Sequence, residues 1–275
     1  MSKRFTCLRW KVYSVMLVAL LCAALAGCSA TPVTQTAPGA SAEDVLYQVS
    51  TLGALMQGVY DGEMEVGQLV QEGDLGIGTF EALDGEMVVL DGRVYQVRGD
   101  GQVHEAADTV KTPFAVVTRF DPDQQVQLSG IESYARLKDE LDKLCPSPNL
   151  FYAFKVEGTF GYVQTRSVPP QEKPYPPLVE VTDMQPTFEF HDVKGTLAGF
   201  WCPSYAEGAN MPGYHLHFLT EDRAGGGHLL ECTLAEGSAA VDITTEFHML
   251  LPENDHFTQA DLGSVKKVDI ERAEQ

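Results

Sequence analysis

The 275-residue chain carries 19 Lys and Arg against 39 Asp and Glu, a formal charge of −20, with 44% hydrophobic and 9% aromatic residues. That is enough apolar material for one large or two modest cores, so dominant disorder is excluded. The acidity excludes a nucleic-acid binder, which needs clustered Lys and Arg, and the lack of a long uninterrupted apolar run excludes a multi-pass membrane protein.

The chain opens with Lys3, Arg4, Arg9 and Lys11 around the start of the apolar run Val12–Leu25. That run has the length of a signal-peptide core and is short for a membrane span. Leu25-Ala26-Gly27-Cys28 closes it and resembles the lipobox of bacterial lipoproteins, whose cysteine is lipidated and becomes the new N-terminus. The expectation is a lipoprotein signal peptide over 1–27, a lipid anchor on Cys28, a flexible small-residue tether over 28–44, and a protein held outside the cytoplasm at the cell membrane or envelope. Removing the four basic residues of 1–27 leaves 15 Lys and Arg against 39 acids, a charge of −24. Cys145, Cys202 and Cys232 are too few and too widely spaced for a disulfide framework, and no CxxC pair supports a thiolate zinc or thioredoxin-like site.

Val45–Tyr60 reads as a packed helix closed by Asp61-Gly62. From Gly76 to Gly101, β-prone runs are separated by Asp84-Gly85, Asp91-Gly92 and Asp100-Gly101, the pattern of a β-meander. Ser129-Gly130-Ile131-Glu132 fits a capping box, with Ile131, Tyr134, Leu137, Leu141 and Leu144 at helical spacing before Pro146 and Pro148. Leu150–Val168 reads as two strands. The Pro-rich segment Pro169–Pro177 is the expected boundary between an N-terminal domain (45–168) and a C-terminal domain (169–275). After it, Thr187–Phe190, Gly195–Trp201, Gly213–Thr220, Leu229–Leu234 and Ala239–Leu251 read as five strands, with helix signals only in the last dozen residues. The expected fold is α+β: a mixed sheet with helices on the N-terminal side, and an antiparallel, barrel-like C-terminal domain carrying the site.

The strongest chemical signal is Tyr214-His215-Leu216-His217-Phe218 followed by Gly225-Gly226-Gly227-His228. On a strand, residues two apart share a face, so His215 and His217 project together. A glycine-rich turn would return His228 beside them. Three imidazoles with a free fourth position describe a catalytic zinc site, although other transition metals take similar ligands. The bland alternative is a solvated strand face with a histidine after a loop. His104, His191, His248 and His256 are scattered and read as surface or packing residues.

Gly73–Met87 (GDLGIGTFEALDGEM), Asn149–Pro169 (NLFYAFKVEGTFGYVQTRSVP), Gln171–Glu180 (QEKPYPPLVE) and Gly213–His228 (GYHLHFLTEDRAGGGH) occur in this order. On these motifs the chain, from about Val45 to Glu274, resembles the bacterial alpha-acetolactate decarboxylase family. The resemblance implies a zinc ion on His215, His217 and His228, with Glu86, Arg166 and a glutamate near the C-terminus, Glu271 or Glu274, completing the catalytic set and Thr79 beside them. It also implies conversion of acetolactate, a small 2-hydroxy-3-oxo acid, to (R)-acetoin and carbon dioxide in the acetoin and butanediol pathway, by a homodimer of two-domain subunits. In that reading Arg166 grips the substrate carboxylate, and Glu86 and the C-terminal glutamate handle protons if burial raises a pKa. Two alternatives stay open on the residues: another three-His β-barrel metalloenzyme, and a non-catalytic surface lipoprotein that captures metal or ligand. The lipobox itself departs from a cytoplasmic pathway enzyme.

Overall fold

The computed structural model describes residues 44–274. The expected signal peptide over 1–27, Cys28 and all but the last residue of the 28–44 tether lie outside the described residues, as does the side chain of Glu271. The described residues all fall in one compact unit.

The first element corrects the sequence reading. Val45–Val49 is a strand (β1), and the only helix in the expected 45–60 span is Leu52–Met56 (α1), whose Ala54 N–H is accepted by the Thr51 hydroxyl at 3.1 Å. Apolar runs of this length do not distinguish buried strand from buried helix. Here β1 has a partner on each side, which decides it. Met64–Glu65 (β2), Val66–Glu72 (α2), Leu75–Thr79 (β3), Glu86–Leu90 (β4), Arg93–Val97 (β5), Val103–Glu105 (β6), Lys111–Thr112 (β7) and Ala115–Thr118 (β8) follow. The expected meander is present as β3 to β6. Asp91 and Gly92 both have positive φ between β4 and β5, the conformation of a two-residue hairpin turn.

Gln124–Ile131 is a strand (β9) and the helix after it is Tyr134–Asp142 (α3), so the expected capping box is displaced: Ser133 is the N-cap, accepting the Arg136 N–H at 3.2 Å. Phe151–Arg166 is one continuous strand (β10) rather than two. After Leu178–Thr182 (α4), Thr187–Cys202 (β11) likewise fuses two expected strands. Gly213–Thr220 (β12), Gly226–Thr244 (β13), Glu246–Leu250 (β14), Asp255–Gln259 (α5) and Lys267–Glu274 (α6) complete the chain.

The strands form a seven-stranded sheet, β14-β1-β8-β3-β4-β5-β6, a five-stranded sheet, β10-β11-β12-β13-β9, and a small β2-β7 pair. In the five-stranded sheet β10 also pairs with β13, so the pairings β10–β11–β12–β13–β10 run in a ring. Neither sheet respects the expected boundary at Pro169. Strands β9 and β10 precede the prolines yet join β11 to β13, and β14 returns to pair in parallel with β1. The Pro-rich segment is therefore a crossover between strands rather than a division between 45–168 and 169–275.

Long strands can curl this tightly because of a row of glycines. Gly158 is the register partner of both Gly195 and Gly237. A Cβ added at Gly158 would lie 2.3 Å from the Glu236 carbonyl oxygen. Glycines that read as strand breaks are instead points of close backbone approach inside continuous strands.

One core lies between the two sheets, with Ile77, Val88 and Phe114 from one side and Ala153, Ala198 and Phe200 from the other. A second lies between α3 and the five-stranded sheet, and a third under α2. The first core places β4 against β12, and that contact builds the site.

Candidate active site

Strand register assembles the three histidines. His215 and His217 share one face of β12, and His217 is directly opposite His228 on β13, which is itself opposite Arg166 on β10. The row His217–His228–Arg166 thus crosses three adjacent strands. Gly227 makes the approach possible: its φ is +127°, and a Cβ there would meet the Arg166 carbonyl oxygen at 2.3 Å. Ligand atoms of His215, His217 and His228 all lie within 4.8 Å of one another, and all three residues are buried.

Hydrogen bonding sets the protonation of two rings. His217 Nδ1 is 2.8 Å from the Met87 carbonyl oxygen, which only accepts, so Nδ1 carries the proton and Nε2 is left bare. His228 Nε2 is 2.9 Å from the Glu274 carbonyl oxygen, which leaves Nδ1 bare by the same reasoning. His215 Nε2 lies 3.2 Å from His217 Nε2. Burial, with Arg166 adding to it, pushes the His215 pKa down to about 3. Burial drives His217 and His228 well below the usual imidazole value too. Neutral imidazoles with lone pairs converging at this spacing fit a metal ion, which binds deprotonated ligands.

Two carboxylates flank the cluster. Glu274 Oε2, brought in by α6, lies 3.4 Å from His215 Nε2, 3.8 Å from His228 Nδ1 and 3.8 Å from Arg166 Nη2. Burial raises its pKa, and Arg166 opposes the shift. Glu86, first residue of β4, lies with Oε2 3.6 Å from His217 Nε2. Burial pushes its pKa up to about 8 against the pull of Arg166, with Glu274 adding to the rise. Before any metal binds, this burial favours the protonated form of Glu86. Of the two C-terminal candidates, Glu274 places its carboxylate in the site, and the side chain of Glu271 lies outside those described.

Arg166 is 3% exposed. Its Nη1 donates to Gln185 Oε1 at 2.8 Å and its Nη2 donates to the Ala273 carbonyl. Among the described residues, Arg166 Nε and His215 Nδ1 are buried with no hydrogen-bond partner. Thr79 lines the same cavity, its hydroxyl donating to the Gly85 carbonyl at 2.7 Å, one residue before Glu86. The cavity has a volume of about 30 Å³, with Leu55, Phe114 and Leu178 forming its apolar side.

All the sequence-derived site residues that are described here therefore converge: His215, His217, His228, Glu86, Arg166, Glu274 and Thr79. Sequence reasoning missed Gln185, the carbonyls of Met87, Ala273 and Glu274, and the apolar wall. A backbone carbonyl has no side-chain signature, and Gln185 follows the short helix α4, for which the sequence showed no helix signal. The scattered histidines stay apart from the site: His104, His191, His248 and His256 are exposed.

This geometry agrees with comparisons to known proteins. Residues 46–264 match the family model described as alpha-acetolactate decarboxylase. The alpha-acetolactate decarboxylase of Methanosarcina mazei is 50% identical over 235 residues, covering 86% of this chain and 82% of that protein. That of Brevibacillus brevis is 40% identical over 275 residues, covering 96% of each. The crystal structure of the Bacillus subtilis strain 168 alpha-acetolactate decarboxylase superimposes with a TM-score of 0.82 at 40% identity, covering 84% of this chain and 99% of that one.

Proposed function

The chain belongs to the alpha-acetolactate decarboxylase family, and from that premise we propose that it is a zinc-dependent enzyme converting 2-acetolactate to (R)-acetoin and carbon dioxide. The observation that carries the metal part is the set of three buried, neutral histidines with converging ligand atoms. Zinc held by His215, His217 and His228 would supply Lewis-acid stabilisation of the negative charge that develops on substrate oxygen.

The remaining chemistry is assigned to side chains. Decarboxylation breaks the bond between the carboxylate carbon and the carbinol carbon. The electron pair moves towards the neighbouring ketone, and a proton must then be added to the carbinol carbon to give acetoin. Arg166 binds the substrate carboxylate before the bond breaks, a fixed cation held by Gln185 and the Ala273 carbonyl. Glu86 is assigned as the proton donor, a carboxyl beside the histidines whose protonated form burial favours. Glu274 lies between Arg166 and the histidines; its carboxylate orients the rings and passes a proton to or from the substrate hydroxyl. The apolar wall of Leu55, Phe114 and Leu178 excludes water from the carbanion-like transition state.

Racemic acetolactate incubated with the purified protein should yield acetoin far above the spontaneous rate, with the (R) enantiomer dominant on a chiral column. Racemic acetoin would remove the assignment of a single positioned donor. The proposal extends to export, lipidation at Cys28 and assembly as a homodimer. Labelled fatty acid should enter the full-length chain but not Cys28→Ala, and light scattering should give twice the subunit mass; label in both, or a monomer, would remove the respective part.

A further inference from the structure

Strand β12 is paired with β11 along its whole length, from Gly213 opposite Cys202 to Thr220 opposite Gly195. With β13 it pairs only at His217–His228, Phe218–Gly227 and Leu219–Gly226. Past the His217–His228 pair the two strands part, and β13 next meets a neighbour on that side at Leu234, opposite Ile131 of β9. The facing edges of Gly213–Leu216 and of residues 229–233 are thus open to each other. Helix α3 spans the opening. Tyr214 donates from Oη to Asp142 at 2.7 Å, and Glu231 accepts the Tyr134 N–H.

Beneath α3 the opening is a cavity of about 280 Å³ lined by Tyr134, Lys138, Tyr214 and Leu230, which also reaches His228 and Glu274. The 30 Å³ cavity on the Glu86 side shares those last two residues. It has room for about one water molecule, whereas the larger space approaches the size of a small-molecule site.

Charge marks the same opening. On α3, Arg136 pairs with Asp139 at 2.7 Å and Glu140 at 3.4 Å, and Lys143 pairs with Glu140. Lys138 has no carboxylate partner among the described residues and stands 4.6 Å over the Tyr134 ring. Of the acids around the opening, Asp142 accepts from Tyr214 and Glu231 from the Tyr134 backbone, while Glu274 lines the inner end of the cavity beside Arg166. An unpaired cation at the mouth of a cavity in a chain of charge −20 is a local attraction for anions in an otherwise repelling field.

We propose that the parting of β12 and β13 is the route by which the anionic substrate reaches the histidines, with Lys138 as the cation that draws it in. The substrate's identity rests on the decarboxylase reading; the route does not. With zinc-loaded protein, Lys138→Glu should slow zinc removal by dipicolinate, a dianion, by about three- to tenfold at low salt. The difference should collapse at high salt. Removal by uncharged 1,10-phenanthroline should be unchanged, and Leu230→Trp, which fills the cavity, should slow both chelators. With acetolactate, kcat/KM of Lys138→Glu should fall by a similar factor at low salt with kcat retained. In Lys138→Glu, an unchanged dipicolinate rate or equal slowing of both chelators would overturn the route, as would unslowed chelation in Leu230→Trp. Absence of acetoin from the wild-type protein would instead remove the decarboxylase reading, and the chelator comparison would still decide the route.

Discussion

A histidine binds a metal only once its ring has lost its proton, and in this site burial does that work before any metal arrives. His215, His217 and His228 are driven far below their ordinary pKa, and the carbonyls of Met87 and Glu274 leave one bare nitrogen on each of two rings. Arg166 is fixed in the same manner by Gln185 and the Ala273 carbonyl. A lysine in its place would keep the charge and lose the planar fork. Arg166→Lys should therefore retain metal while kcat/KM falls by about a hundredfold; metal analysis beside steady-state kinetics checks this, and near-normal turnover would contradict the carboxylate grip. A third buried acid, outside the site, is predicted to report on stability. Asp242 is 1% exposed. Burial pushes its pKa up from 3.8 to about 7, with Asp123, Asp44 and Asp121 adding to the rise and a backbone hydrogen bond from Asp121 opposing it. Its folded pKa is above the unfolded one, so between these values the folded state holds a proton the unfolded chain has lost. Stability from this group is present at low pH and is lost as pH rises towards 7. Asp242→Asn should accordingly raise Tm more at pH 8 than at pH 5, and an equal change at both would contradict the assignment.

Among the elements, the paired strands β12 and β13 carry the most function, and they were the most legible. Alternation in Tyr214–Phe218 put His215 and His217 on one face, and the glycine-rich turn returned His228 to them, because a strand's period of two and a short hairpin leave little choice. Helices were less legible. The apolar stretch from Val45 became β1 because strands β8 and β14 flank it, and both partners are distant in sequence. Gly158, Gly195 and Gly237 permit curvature within β10, β11 and β13, which run on where the sequence suggested separate strands. The same physics predicts that Gly227→Ala destabilises the hairpin. A Cβ there meets the Arg166 carbonyl, and the positive φ is unfavourable for alanine. A loss of about 1–3 kcal/mol in urea unfolding is expected, and an unchanged midpoint would contradict the close approach. The C-terminal helix α6 shows where sequence stopped short: Glu271 and Glu274 were equally eligible there, and it is the packing of α6 against α4, with the Glu274 carbonyl on His228, that brings the Glu274 carboxylate to His215.

At the scale of the molecule, the expected division into two domains gives way to two sheets sharing a core, with the site at their contact. The seven-stranded sheet contributes Glu86, Thr79 and the Met87 carbonyl. The five-stranded sheet contributes the histidines and Arg166, so neither sheet holds the site alone. Among the described residues no helix is long and apolar enough to cross a membrane. The acidity that first argued against nucleic acid also sets a problem for an anionic substrate, which the buried Arg166 and the histidine-bound cation proposed above would resolve locally. The central claim is that a metal on His215, His217 and His228 makes this chain a decarboxylase, and the most direct measurement is removal and return of that metal. Dialysis against a chelator should leave folded protein that releases no acetoin from acetolactate above the spontaneous rate, and about one zinc per subunit should restore full release. Full activity in chelated, metal-free protein, or zinc uptake without acetoin, would contradict it.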